Sequence, residues 1–298
     1  MRVLITGGSG FIGSHLAEYF QGRAEVRILD NLRTGFRHNL DGLNVEFIEG
    51  SIRDRSLVSQ AVKGVDYVFH LAALVSVPES MEKPQECVDI NVNGLLNVLG
   101  ESASSGVRKL CFASSAAIYG DNTNVPKLEG MLPEPKSPYA ITKLDGEHYC
   151  EIFQREGRLS TACLRFFNVF GPRQDPDGPY AAAVPIFFQK ALAGESLTIF
   201  GDGGATRDFI FVKDIVAALA FLAENEPVCG VFNAGYGRQT SILELAKSIL
   251  KLTGSDSEII HAEERAGDVR HSVASVEKLR EAGFYPKGSL ADGLQAML

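Results

Sequence analysis

The sequence contains no C-x-x-C pair, and its five cysteines (Cys87, Cys111, Cys150, Cys163 and Cys229) are odd in number and scattered. That usage argues against both a disulfide framework and a zinc site, so buried, reduced thiols and no bound metal are expected. A basic excess is also lacking. With 29 Lys and Arg against 37 Asp and Glu, the net charge is −8, which gives no sign of the surface that nucleic-acid binding needs. No apolar run approaches the roughly 18 residues of a membrane span, and no apolar segment precedes a cleavage site at the N-terminus, so a soluble cytoplasmic protein is expected. Internal repeats and low-complexity segments are absent.

The chain's 298 residues, 45% of them hydrophobic, are enough for a large core. Short β-branched or apolar runs (Val3 to Ile5, Val26 to Leu29, Val45 to Ile48, Tyr67 to His70, Lys109 to Ala113) alternate with helical patterns at 11–21, 55–63, 86–105 and 139–156. This alternation predicts a doubly wound parallel sheet with helices on both faces. Beyond Gly171 the crowding of Pro172, Asp175, Pro176, Asp177, Gly178 and Pro179 marks a lobe boundary. The expected division is therefore 1–170 and 171–298, with segments near 208–234 returning to the first lobe.

Between the first strand and first helix stands Thr6-Gly7-Gly8-Ser9-Gly10-Phe11-Ile12-Gly13. Glycines there permit a tight turn and close backbone approach, and the helix N-terminus attracts a pyrophosphate. Asp30 ends the second strand 17 positions after Gly13, near the offset of about 20 expected for a carboxylate that holds an adenosine ribose hydroxyl. NAD is favoured. Arg33 could pair with the 2′-phosphate of NADP, but Asp30 would repel that group. Tyr139 and Lys143 share one helix face at i and i+4, where the ammonium is expected to favour a phenolate and make Tyr139 a general base. Ser115 ends a strand where ligands bind in open α/β sheets and is the serine expected beside the reacting hydroxyl, ahead of Ser114.

Together with His70-Leu71-Ala72-Ala73, Arg165-Phe166-Phe167-Asn168, Thr206-Arg207-Asp208-Phe209 and Arg265-Ala266-Gly267-Asp268, these residues resemble the extended short-chain dehydrogenase/reductase family, and within it the UDP-sugar 4-epimerases. The resemblance spans nearly the whole chain. It implies a Rossmann-type α/β fold with a smaller C-terminal α/β substrate-binding lobe, and a homodimer paired through helices near 86–105 and 139–156. It implies NAD held by Gly7, Gly10, Phe11, Ile12, Gly13, Asp30, Asn31, Ser51, Ile52, Leu71, Ala72, Ala73, Asn91, Ser114, Tyr139, Lys143 and Phe166. A UDP-hexose would be held by Ser115, Tyr139, Asn168, Arg207, Arg265, Asp268 and Ser272. Ser272 stands where a bulky tyrosine in some relatives excludes N-acetylated sugars, which implies activity on UDP-N-acetylglucosamine.

Two departures stand out. Ser51 replaces an aspartate that relatives place against adenine. Ala116 and Ala117 follow Ser115 where dehydratases and decarboxylases of the family carry acids, so elimination chemistry lacks its proton donor. Inversion at C4 through a 4-keto sugar is the expected reaction; a uronate 4-epimerase, a dehydratase or reductase, and a non-catalytic dinucleotide sensor are the alternatives.

Overall fold

The computed structural model describes residues 1–177, 181–264 and 269–298. Among them the strands are β1 (Arg2–Thr6), β2 (Glu25–Asp30), β3 (Val45–Glu49), β4 (Tyr67–His70), β5 (Lys109–Ser115), β6 (Ser160–Phe166), β7 (Asn168–Phe170), β8 (Leu197–Phe200), β9 (Thr206–Arg207), β10 (Phe209–Phe211), β11 (Gly230–Ala234), β12 (Thr240–Ser241) and β13 (Ile259–Ala262). Seven of these form one sheet in the order β3-β2-β1-β4-β5-β6-β11, with every neighbouring pair parallel. The order reverses between β1 and β4, and that switch point opens the crevice in which such sheets bind ligands. β6 is not among the strands the apolar pattern marks. Its charged Arg165 interrupts the run, and the side chain is tolerated because Glu147 meets it inside the protein.

The helices are α1 (Phe11–Tyr19), α2 (Arg55–Ala61), α3 (Val77–Glu82), α4 (Pro84–Val88), α5 (Gly94–Ser104), α6 (Pro138–Arg155), α7 (Ala183–Ala193), α8 (Val212–Glu224), α9 (Ile242–Thr253), α10 (Glu277–Glu281) and α11 (Leu290–Gln295). Side chains alternate across the strands, so Val3, Ile5, Phe69 and Cys111 join one core layer with Leu16 of α1, Phe20 just after it and Leu219 of α8. Leu4, Val68, Leu110 and Phe112 join the other, with Val58, Leu95 and Cys150 of α2, α5 and α6. Both sheet faces are thus buried, which is why the strands read as near-continuous apolar runs. Each fully buried Leu, Ile or Phe contributes about 1.5–3 kcal/mol.

The expected helix over 86–105 is in fact α4, a π-helical turn at Asp89–Asn93, and α5. The turn presents Asn91, whose Oδ1 accepts from the Leu74 N–H at 2.7 Å and whose Nδ2 donates to the Leu74 carbonyl at 3.0 Å. At the opposite end of the sheet Lys109 is buried. Its Nζ donates to the carbonyls of Val228 (2.5 Å), Leu222 (2.6 Å) and Asn225 (3.0 Å), tying β5 to the end of α8. The later part of the chain adds three two-stranded sheets, β7 with β10, β8 with β13 and β9 with β12. No helix among the described residues is long and apolar enough to cross a membrane.

Candidate active site

The glycine-rich turn leaves β1 with Gly7 at φ +73°, in the left-handed region. A Cβ at Gly7 would lie 2.8 Å from the Ala72 nitrogen, and one at Gly13 only 2.2 Å from the Gly7 carbonyl oxygen, so neither position accepts a side chain without the backbone moving. Gly10 caps α1 without any side-chain acceptor, leaving the first N–H groups of the helix directed at the crevice. Asp30 braces this turn. Its carboxylate accepts from the Ser9 N–H and the Leu32 N–H, each at 2.8 Å, and retains lone pairs for a further donor.

A cavity of about 510 Å³ opens beside the turn. It is lined by Gly7, Gly10, Phe11, Ile12, Gly13, Asp30, Asn31, Ser51, Ile52, Leu71, Ala72, Ala73, Ser114, Tyr139, Lys143 and Phe166. The structure therefore gathers these sequence-derived positions around one space. Asn91 is not a lining residue, because its amide is spent on Leu74 and on Thr142 Oγ1 at 3.0 Å; it positions the wall behind Leu74. Thr34 and Gly35 line the space without having been marked by the sequence, and Val75 and Gln174 line it too. Gln174 Oε1 is buried and has no hydrogen-bond partner among the described residues. The side-chain-free cradle, the open helix N-terminus and this spare acceptor suit an elongated dinucleotide carrying a pyrophosphate and an amide donor.

At the inner end of the cavity β5 and α6 converge. Ser137 caps α6 by accepting from the Ala140 N–H at 3.2 Å, and Pro138 occupies the first helical position. Tyr139 and Lys143 follow on the face toward β5. Ser115 stands near enough to the Tyr139 phenol to favour its ionised form, and its Oγ accepts from the Ala117 N–H at 3.1 Å. Lys143 Nζ donates to the Ala113 carbonyl at 2.7 Å and lies 5.7 Å from the centre of the Tyr139 ring. Burial pushes Lys143 down to about 8, so the amine still carries its charge at neutral pH. The phenol differs from expectation: burial raises Tyr139, and the group that opposes this is Ser115 rather than Lys143. The ammonium is engaged by Ala113, so further lowering of the phenol falls to a cationic ligand in the cavity.

Ser114 is anchored from behind. Its Oγ donates to Glu147 Oε1, one turn after Lys143, and Glu147 is paired with Arg165, which donates at 2.9 Å to the Tyr119 hydroxyl. Ser115 and the turn at Ala116–Tyr119 are thus held at both ends by one buried network. Ala116 and Ala117 are only half-buried there, and neither brings an acid to the site.

A second cavity, of about 570 Å³, adjoins the first through Val169, which lines both. Asn168 and Arg207 meet in its wall, joined by Lys190, Thr198, Phe200 and Phe187, with no acidic residue among the described residues that line it. Arg207 Nη1 donates to its neighbour's carbonyl at Thr206, at 3.0 Å. The Ser272 N–H donates to the same carbonyl at 3.1 Å, which places Ser272 beside β9 but outside the lining of either cavity. Arg265 and Asp268 lie outside the described residues. Among those residues no cluster of His, Cys, Asp and Glu could hold a metal ion.

A family model described as the NAD dependent epimerase/dehydratase family matches residues 3–235. A UDP-N-acetylglucosamine 4-epimerase from Methanobrevibacter ruminantium, solved in complex with UDP-N-acetylmuramic acid, superposes with a TM-score of 0.96 at 38% identity, over 99% of this chain and 96% of that one. A UDP-glucose 4-epimerase from Thermotoga maritima, solved with UDP-glucose, gives 0.94 at 41% identity, over 100% and 97%. A UDP-N-acetyl-alpha-D-glucosaminuronate decarboxylase of Bacillus cytotoxicus is 38% identical over 311 residues, covering 99% of this chain and 95% of its own.

Proposed function

Since the chain belongs to the NAD dependent epimerase/dehydratase family, we propose that it inverts C4 of a UDP-hexose, acting on UDP-N-acetylglucosamine and alongside it on UDP-glucose. The observation that carries this reading is the juxtaposition of Tyr139 with Ser115 of β5, beside the cradle of Gly7, Gly10 and Gly13 and with alanines at 116 and 117. NAD bound in the first cavity supplies reversible oxidation at C4. Tyr139 takes the proton of the 4-hydroxyl and later returns one to the 4-keto oxygen, while Ser115 donates to whichever oxygen carries negative charge. Lys143, whose Nζ is held by the Ala113 carbonyl, lines the same cavity, and the phenolate is favoured by the cationic dinucleotide that the cavity would hold. Asn168 and Arg207 hold the diphosphate in the second cavity, Arg207 through the fork that suits phosphate oxygens. Arg265 and Asp268 complete the uridine end, and Ser272 leaves room at the sugar's C2.

A decarboxylase or dehydratase needs an acid or base beside the serine, and Ala116 and Ala117 provide none. Homodimerisation through α4, α5 and α6 is part of the proposal. It is supported by apolar side chains left in solvent on this side, Met81 at 60%, Ile141 at 47% and Val88 at 44% exposed. The test is to incubate the purified protein with UDP-glucose, UDP-N-acetylglucosamine and UDP-glucuronate in parallel, with NAD and no reductant, and to follow the sugar's anomeric signals by NMR. Formation of the C4 epimer of UDP-N-acetylglucosamine supports the proposal. If that sugar nucleotide is left unchanged, the N-acetylated specificity falls, and if all three are unchanged the reaction falls with it.

A further inference from the structure

Arg33 lines the outer end of the first cavity, next to Asp30 and Asn31 at the end of β2. Its backbone is fixed by its neighbours: Leu32 adopts φ +57° with its N–H held by Asp30, and the Arg33 N–H donates to Asn31 Oδ1 at 3.3 Å. Its side chain is engaged by two helices. Nη2 donates to Glu79 of α3 at 2.8 Å and Nη1 to Glu86 of α4 at 2.6 Å, so each terminal nitrogen meets a different helix. The pairs are well sheltered for surface charges, with Arg33 at 29%, Glu79 at 24% and Glu86 at 34% side-chain exposure. The hydrogen bond from Arg33 holds both carboxyls below their ordinary range. Lys83 adds a third contact by donating to Glu79 at 3.3 Å.

Arg33 is the only cation that lines this end of the cavity among the described residues, since Lys143 sits at the other end beside Tyr139. An adenosine bearing a 2′-phosphate would need a guanidinium free to form a fork with it. Instead it would meet Asp30 and a guanidinium already committed to two carboxylates. We propose that Glu79 and Glu86 set the preference for NAD over NADP by holding Arg33 away from the ribose 2′ position. The inference rests on reading the first cavity as a dinucleotide site. The specificity of that end is then distributed over β2, α3 and α4. Asp30 is the carboxylate that accepts the ribose hydroxyl, and the two glutamates withhold the one side chain able to accept a phosphate in its place.

The experiment is to titrate dinucleotide-free protein with NADH and with NADPH, following nicotinamide fluorescence, for the wild type, the Glu79→Gln/Glu86→Gln variant and the same variant carrying Arg33→Met. Glutamine keeps the size of each side chain and removes its charge. The ratio of NADPH to NADH dissociation constants should fall about tenfold or more in the double variant, the gain expected from one charge-assisted phosphate contact. Adding Arg33→Met should return it to the wild-type value or above. Glu86→Gln alone should move the ratio in the same direction by a smaller factor. A ratio changed by less than about threefold in the double variant, or a gain that survives Arg33→Met, overturns the proposal. Loss of NADH binding in both the single and the double variant also overturns it, because the carboxylates would then serve NAD itself. Wild-type protein that binds neither dinucleotide would refute the cavity assignment on which the proposal stands; binding with an unmoved ratio refutes the proposal alone.

Discussion

Ser114 Oγ donates to Glu147 Oε1 at 2.5 Å, and the same carboxylate receives Arg165 through Nε at 2.9 Å and Nη2 at 2.7 Å, with all three side chains buried. Each charge is compensated only by the other. Glu147→Ala should therefore cost about 3–5 kcal/mol by stranding Arg165 in the core. Glu147→Leu combined with Arg165→Met should recover most of that loss, since an apolar pair needs no compensation. Urea unfolding of the two variants decides the matter, and a loss below about 1 kcal/mol for Glu147→Ala would show that water reaches the pair.

Tyr139→Phe should lower turnover by about 10²–10⁴-fold or more while leaving dinucleotide binding intact, because only the proton-transferring oxygen is lost. Ser115→Ala has a more particular signature. Ser115 is the group that opposes the rise burial gives the Tyr139 phenol, so its removal raises the phenol further. The rising limb of the rate against pH should then move to higher pH, as read from single-turnover rates. An unmoved limb would place the proton elsewhere.

His70 is buried against Thr6, with Oγ1 and Nδ1 2.9 Å apart, and burial pushes its ring down to about 3 from an ordinary value of 6.5. Between those values the unfolded chain binds a proton that the folded one refuses. The stability it contributes is thus complete above pH 6.5 and is lost as the pH falls toward 3, by about 1.4 kcal/mol per pH unit. Asp208, raised to about 6 by burial, acts in the opposite sense below that pH and masks part of the loss. Comparison with His70→Asn removes the masking, and wild-type stability should fall by about 1.4 kcal/mol more per unit than the variant's between pH 6.5 and 4.

Two glycine-to-alanine changes should part company. Gly13→Ala drives a Cβ to 2.2 Å from the Gly7 carbonyl and should abolish dinucleotide binding and lower the melting temperature. Gly100→Ala lies within α5 with nothing inside 4 Å of the new Cβ, and should stabilise the protein by about 0.4–1 kcal/mol. Thermal unfolding with and without NAD reads both.

Much of this site is legible before any coordinates because its chemistry is local in sequence. Gly7 to Gly13 is one turn, Tyr139 and Lys143 are one helical turn apart, and Asp30 ends an apolar run. Long-range partners are what the pattern does not show. Nothing near Arg165 announces that Glu147, 18 residues earlier, makes a strand residue of it, so β6 passes unmarked. Arg33 reads as a free cation until α3 and α4 bring Glu79 and Glu86 to it. Asn91 shows the converse, with a polar side chain that suits a ligand committed instead to the loop at Leu74.

Val169 belongs to the walls of both cavities. Where a partition shared by two chambers couples their contents, that coupling is thermodynamically reciprocal. Whatever factor an occupant of the second cavity imposes, through this wall, on affinity in the first, the occupant of the first imposes equally in return.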